Sequence, residues 1–154
     1  MPAPRVLFVK LSSLGDVIHH LPAVTDLAAQ REGTYVAWAV EEAYAELVRL
    51  HPGVHEVIPV GLRSLRRGPL ERSRWGRLAE ARRALARGQW DYVVDSQGLL
   101  KSALVARAAG GIRFGLDKRS THACPLAARR FPNAIQRSSG QAFCRRLAAC
   151  RSTA

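Results

Sequence analysis

The sequence predicts an α/β domain with a doubly wound, largely parallel sheet and an irregular basic tail, and three observations carry that prediction. Short β-branched, apolar runs alternate five times with longer stretches whose apolar residues recur at helical spacing. The second run is apolar enough to be covered on both faces, as parallel strands are. The first and fourth runs each end in a small, polar turn, where ligand-facing loops of such a sheet lie.

The first strand is residues 6–10 (VLFVK), followed by a turn with Ser12, Ser13 and Gly15 and then a helix. Val17, Leu21, Val24 and Ala28 stand at i, i+4, i+7 and i+11 of that helix, so they form the face expected to cover the sheet. Asp16 stands at the helix entrance, on the crevice side. Two readings of it stay open. It caps free N–H groups at the positive end of the helix dipole, or it is an ionised carboxylate serving as a general base.

Residues 34–40 (TYVAWAV) read as the second strand and residues 41–50 as a short helix ending before His51, Pro52 and Gly53. The third strand is residues 56–60 (EVIPV), where Pro59 predicts an edge or strand-end position. Arg63, Arg66 and Arg67 follow in a loop of low hydrophobic order, on the same side of a parallel sheet as Asp16. An arginine there can fork two donors onto a phosphate, or simply face solvent. Residues 75–87 predict a basic helix with Leu78, Ala81 and Leu85 inward, stopped by Gly88. Residues 92–95 (YVVD) are the fourth strand, residues 99–109 a helix closed by Gly110 and Gly111, and residues 112–116 the fifth strand. The tryptophans and tyrosines read as core.

At 154 residues the chain is long enough for one domain with a real core, burying roughly 68 to 70% of its unfolded surface. No apolar run approaches 18 residues and no signal-peptide pattern occurs, so a soluble cytoplasmic protein is expected. Cys124, Cys144 and Cys150 lack zinc-ligand spacing, and neither a disulfide framework nor a metal is expected. The net charge of +12 is concentrated: residues 61–90 carry +7 and residues 119–154 carry another +7 with no acid at all. Such blocks suit polyanions. An arginine-rich composition without a partner also explains them, since 21 of the 24 basic residues are Arg.

The first turn, S-S-L-G-D, lacks the glycines of a dinucleotide fingerprint, and no phosphate-binding G-x-x-x-x-G-K-[ST] or nucleophile elbow occurs. A dehydrogenase, an NTPase and a serine hydrolase are therefore disfavoured. His19 and His20 read as polar neighbours at the crevice edge.

Taken together, VLFVKLSSLGDVIHHLPAVTDL, WAVEEAYAELV, HEVIPVGLRSLRR and YVVDSQGLLKSALVARAAGG resemble the amino-terminal domain of the lipopolysaccharide heptosyltransferases of glycosyltransferase family 9, the heptosyltransferase I kind more than the II. The resemblance runs from about Arg5 to about Arg119. It implies a Rossmann-like half of a GT-B enzyme, residues 1–118, which binds the acceptor. The implied reaction moves L-glycero-D-manno-heptose from ADP-heptose to Kdo-lipid A with inversion and without a metal, at the cytoplasmic face of the bacterial inner membrane, an anionic surface. Asp16 corresponds to the family's catalytic base. Ser12, Ser13 and Gly15 fall in the same turn and imply substrate contacts. Arg63, Arg66 and Arg67 match a basic loop facing the acceptor, with Ser64 and Leu65 departing from the pattern. Gln97, Gly98, Lys101 and Ser102 match the D-x-Q-G-x-x-K-S segment and imply a crevice lining.

The family's D-T-G-x-x-H segment, on its donor-binding domain, is absent from this sequence, so a fragment inactive by itself is expected. Residues 119–154 read as a basic tail, poorly ordered or helical only around 143–149, whose likeness to the family decays as after a frame change or truncation. The alternatives are a non-catalytic module binding an anionic glycolipid or, less favoured, nucleic acid, and a non-functional gene remnant.

Overall fold

A computed structural model describes residues 3–63, 72–116 and 129–131 of the chain. The elements run β1 (Arg5–Val9), α1 (Leu14–Gln30), β2 (Tyr35–Glu41), a 3₁₀ turn (Glu42–Tyr44), α2 (Ala45–Arg49), β3 (Glu56–Val60), α3 (Arg72–Arg87), β4 (Tyr92–Asp95), α4 (Leu100–Ala109), β5 (Ile112–Leu116) and β6 (Arg129–Phe131). All strand pairings are parallel, in the order β3-β2-β1-β4-β5-β6. This is the doubly wound, Rossmann-like sheet that the alternation of runs predicts.

Side chains alternate across the central strands and feed two cores. Val6 and Phe8 of β1 and Val36, Trp38 and Val40 of β2 pack under α1 and α2 against Val17, Val24, Leu27 and Val48. Leu7 and Val9 with Ala37 and Ala39 face the other way, under Ala81 and Leu85 of α3 and Val105, Ala106 and Ala109 of α4. Burying one such Val, Leu or Phe side chain stabilises the fold by about 1.5 to 3 kcal/mol. The inward face of α3 is the one its spacing predicts, and β3 stands at the sheet edge as Pro59 requires.

Several expectations are corrected. The stripe on α1 is rotated: Leu27 is buried and Ala28 exposed, because half-buried His20 turns that side of the helix toward the sheet. Glu41 does not start a helix. It completes β2, paired with Val60 of β3, and helical structure begins after it. Trp38 and Trp90 are core, but Trp75 is 54% exposed on α3. Within the basic tail, residues 129–131 form a strand paired with β5, which the sequence pattern did not suggest. The remainder of residues 119–154, Arg66 and Arg67 lie outside the described residues.

Candidate functional site

The sheet reverses its winding between β1 and β4, and in such a sheet the loops leaving the carboxyl ends of those strands line the ligand crevice. Ser12 and Ser13 follow β1, joined by a cis peptide bond. Ser13 is the N-cap of α1, and Asp16 is its capping-box partner. Asp16 Oδ2 accepts the Ser13 N–H at 2.9 Å and the Ser13 hydroxyl at 3.1 Å. Its carboxylate is exposed. The Ser13 backbone N–H, aided by the charge of Lys10, holds it below the ordinary carboxylate range. The cap reading of Asp16 is thus a fact of geometry, and it leaves an ionised carboxylate at the crevice mouth.

The loop after β4 builds the opposite wall. Buried Asp95 accepts the backbone N–H groups of Gln97 at 3.0 Å and Gly98 at 3.1 Å on Oδ1, while the Ser102 hydroxyl lies 3.0 Å from Oδ2. Burial pushes the Asp95 carboxyl up, against those hydrogen bonds. Gly98 takes φ +67, a conformation that favours glycine. From this loop Gln97 reaches across: Oε1 accepts the Leu11 N–H at 2.7 Å and Nε2 donates to Ser12 Oγ at 3.3 Å. Lys101, in the first turn of α4, donates to the same Ser12 Oγ at 3.1 Å.

Ser12, Ser13, Gln97 and Gly98 therefore stand on the two loops, with Gly15 and Asp16 in the first turn of α1 and Lys101 in the first turn of α4. Arg63 stands nearby, past the end of β3, with its backbone N–H on the Glu41 carboxylate and its guanidinium on the Tyr44 hydroxyl at 2.8 Å. Three residues beside these loops escaped the sequence reading, Lys10, Glu41 and Asp95, while His20, expected at the crevice edge, stands there partly buried. Lys10 donates to Ser96 O at 3.3 Å. His20 packs edge-on against Phe8 and Trp38, with Nε2 3.3 Å from Ser96 Oγ, and burial lowers its pKa to about 4. The signal that could have found Glu41 and Asp95 is a carboxylate on the last residue of a strand, where each of them stands. His19 is exposed.

No group of three or more His, Cys, Asp or Glu that could hold a metal occurs among the described residues. No helix among them is long and apolar enough to cross a membrane.

Residues 78–147 match the family model of glycosyltransferase family 9 (heptosyltransferase). The chain is similar to lipopolysaccharide heptosyltransferase 1 of Pseudomonas aeruginosa, 44% identical over 138 residues, covering 89% of this chain and 39% of that protein. Lipopolysaccharide heptosyltransferase 1 of Salmonella typhimurium is 46% identical over 124 residues, covering 80% of this chain and 39% of that protein. The chain thus spans about two fifths of the length of these curated relatives. Among solved structures, E. coli heptosyltransferase WaaC with ADP superposes with a TM-score of 0.82 at 34% identity, covering 94% of this chain and 47% of that one. E. coli ADP-heptose heptosyltransferase II gives 0.53 at 20% identity, a likeness of fold alone. The family match runs on to residue 147, past Arg119, so the basic tail carries family sequence and the expected decay of likeness there is corrected.

Proposed function

Because this chain belongs, over the length it shares with its relatives, to glycosyltransferase family 9, we propose that it forms the acceptor-binding half of a GT-B lipopolysaccharide heptosyltransferase I. The reaction is transfer of L-glycero-D-manno-heptose from ADP-heptose to Kdo-lipid A at the cytoplasmic face of the inner membrane. An acceptor hydroxyl enters the crevice beside Asp16. As its oxygen attacks the anomeric carbon, the bond to the ADP oxygen breaks, the electron pair leaves with ADP, and the hydroxyl proton goes to Asp16. The configuration at the anomeric carbon inverts. A carboxylate held in its ionised form by the Ser13 N–H is ready for that proton at neutral pH.

The observation that carries the reading is the pairing of Asp16 with Gly15 at the crevice mouth. A Cβ built on Gly15 meets nothing within 4 Å, so packing within the described chain does not account for a glycine there. A substrate that must approach the Asp16 carboxylate closely does account for it. Ser12, Ser13, Gln97, Gly98 and Lys101 hold the two loops around that opening, and Arg63, Arg66 and Arg67 meet the phosphates and carboxylates of the acceptor. The charge of the leaving ADP is met by donors on the other half of the enzyme, so transfer is proposed only for a chain that carries both halves. No metal takes part.

The test joins this chain to the donor-binding half of its Pseudomonas relative and scores heptose transfer to Kdo-lipid A by the mass of the product. Asp16→Asn is expected to lower turnover by about 10² to 10⁴ with acceptor affinity nearly unchanged. Turnover retained in that variant refutes Asp16 as the base. A second reading, a non-catalytic polyanion-binding module, draws on Arg72, Arg77, Arg82, Arg83 and Arg87, all exposed on α3. It predicts binding that weakens steeply with salt and shows no preference for Kdo-lipid A over nucleic acid.

A further inference from the structure

Glu41 ends β2, beside the loop that follows β1, and is only 2% exposed. Its backbone N–H donates to Leu11 O at 3.2 Å, which ties it to the loop that carries Asp16. Its carboxylate accepts the backbone N–H of Arg63, at 3.2 Å from Oε1 and 3.4 Å from Oε2. Arg63 is gripped a second time by the turn that follows β2. Its Nη1 donates to the Tyr44 hydroxyl at 2.8 Å, and the guanidinium carbon lies 5.6 Å from the centre of the Tyr44 ring.

Taking a carboxylate out of water is costly unless its oxygens are hydrogen-bonded, and an apolar side chain at this strand end would avoid that cost. Burial accordingly raises the Glu41 pKa, while the Arg63 N–H and the charges of Arg63 and Lys101 lower it; Glu42 raises it further. The cations come from two directions. Arg63 begins the arginine-rich segment after β3, and Lys101 reaches from α4, where it also holds Ser12. A group that serves only the core would not need to face both.

We infer that Glu41 is a positioning residue for the acceptor: its carboxylate fixes the backbone of Arg63, and so sets where the Arg63 guanidinium stands to meet an anionic group of the acceptor. Glu41 itself touches no substrate. The inference rests on the acceptor reading proposed above, and it gives the buried carboxylate a role at this position.

The experiment uses the full 154-residue chain, unaltered and as Glu41→Ala, Glu41→Gln and Tyr44→Phe. Two quantities are measured on each, amide hydrogen exchange at Arg63 and equilibrium binding to Kdo-lipid A in lipid nanodiscs. Glu41→Ala is expected to speed Arg63 exchange and weaken binding, each by about tenfold, while Glu41→Gln, whose side-chain oxygen still accepts the N–H, recovers most of both. Tyr44→Phe, which removes one hydroxyl and keeps the ring, is expected to weaken binding by about threefold, and it carries the test where Glu41→Ala does not fold. Unchanged exchange at Arg63 in Glu41→Ala overturns the inference. So does fast exchange with unaltered affinity, which would leave Glu41 a local structural role. An unaltered chain that binds no Kdo-lipid A overturns the acceptor reading instead, and the Arg63 exchange then still decides whether Glu41 holds Arg63.

Discussion

The backbone N–H of Leu11 donates to Oε1 of Gln97 at 2.7 Å, across the seam where the loops of β1 and β4 part. Nε2 of the same amide donates to Ser12 Oγ. One side chain from the β4 loop thus closes the loop that carries Asp16. Only an amide presents an acceptor and a donor side by side in one plane, which is why glutamine suits this place.

Gln97→Ala removes the acceptor of a buried N–H, since Leu11 is fully buried. The expected loss is about 1 to 3 kcal/mol of stability, measured as a lowered urea midpoint with an unchanged slope. Gln97→Glu keeps an acceptor for Leu11 and loses the donor to Ser12, so it should fall between. A midpoint unmoved in Gln97→Ala would show that the bridge contributes nothing.

The alternation of runs made the winding of the sheet legible, and the turn S-S-L-G-D made Asp16 legible, because both signals are local. Glu41 was hidden for a different reason. Two consecutive glutamates before an alanine-rich stretch look like the start of a helix, and only the pairing of Glu41 with Val60 keeps it in the strand. Gln97 was placed at the crevice by its neighbours, but its partners are 86 and 85 positions away and no spacing rule reaches them. β6 was missed because Arg129 and Arg130 offer no apolar alternation; it is added to the sheet by pairing with β5.

Asp95 allows a prediction about charge. Its two oxygens serve the N–H groups of Gln97 and Gly98 and the hydroxyl of Ser102. Asp95→Asn retains one oxygen for the two N–H groups and can donate from its amide to Ser102 Oγ, while shedding a desolvated charge. Asp95→Ala leaves all three groups without that partner. Denaturant unfolding should show a change under about 1 kcal/mol for Asn and a loss of about 2 to 4 kcal/mol for Ala. Equal losses would contradict a hydrogen-bonding role.

Gly88 allows one about packing. A Cβ built there would stand 2.0 Å from the ring of Trp90, whose indole N–H is fixed on Leu85 O at 2.8 Å. The ring cannot move aside without giving up that bond. Gly88→Ala is therefore expected to cost about 1 to 3 kcal/mol, with a change in tryptophan fluorescence. An unchanged melting temperature would mean that the turn yields instead.

His20 makes stability depend on pH, and the sign follows from its surroundings. Its ring is held between Phe8 and Trp38, with centroids 5.2 and 5.3 Å away, and burial followed by the charge of Lys10 lowers its pKa from 6.5 to about 4. Between those values the unfolded chain binds a proton at this position and the folded chain does not. Stability therefore rises with pH through that window and is lost as pH falls from about 6.5 toward 4, by up to about 3 kcal/mol. Glu41 and Asp95, whose pKa values burial raises, act in the opposite sense, because there the folded chain holds the proton more tightly. The total profile mixes these groups, so the difference between the unaltered chain and His20→Gln isolates the histidine. Urea unfolding at intervals from pH 4.5 to 7.5 should give a difference that grows with pH up to about 6.5 and then levels. A flat difference would mean that His20 takes up its proton equally in the folded and unfolded chain, and the neutral ring between Phe8 and Trp38 would have to be abandoned.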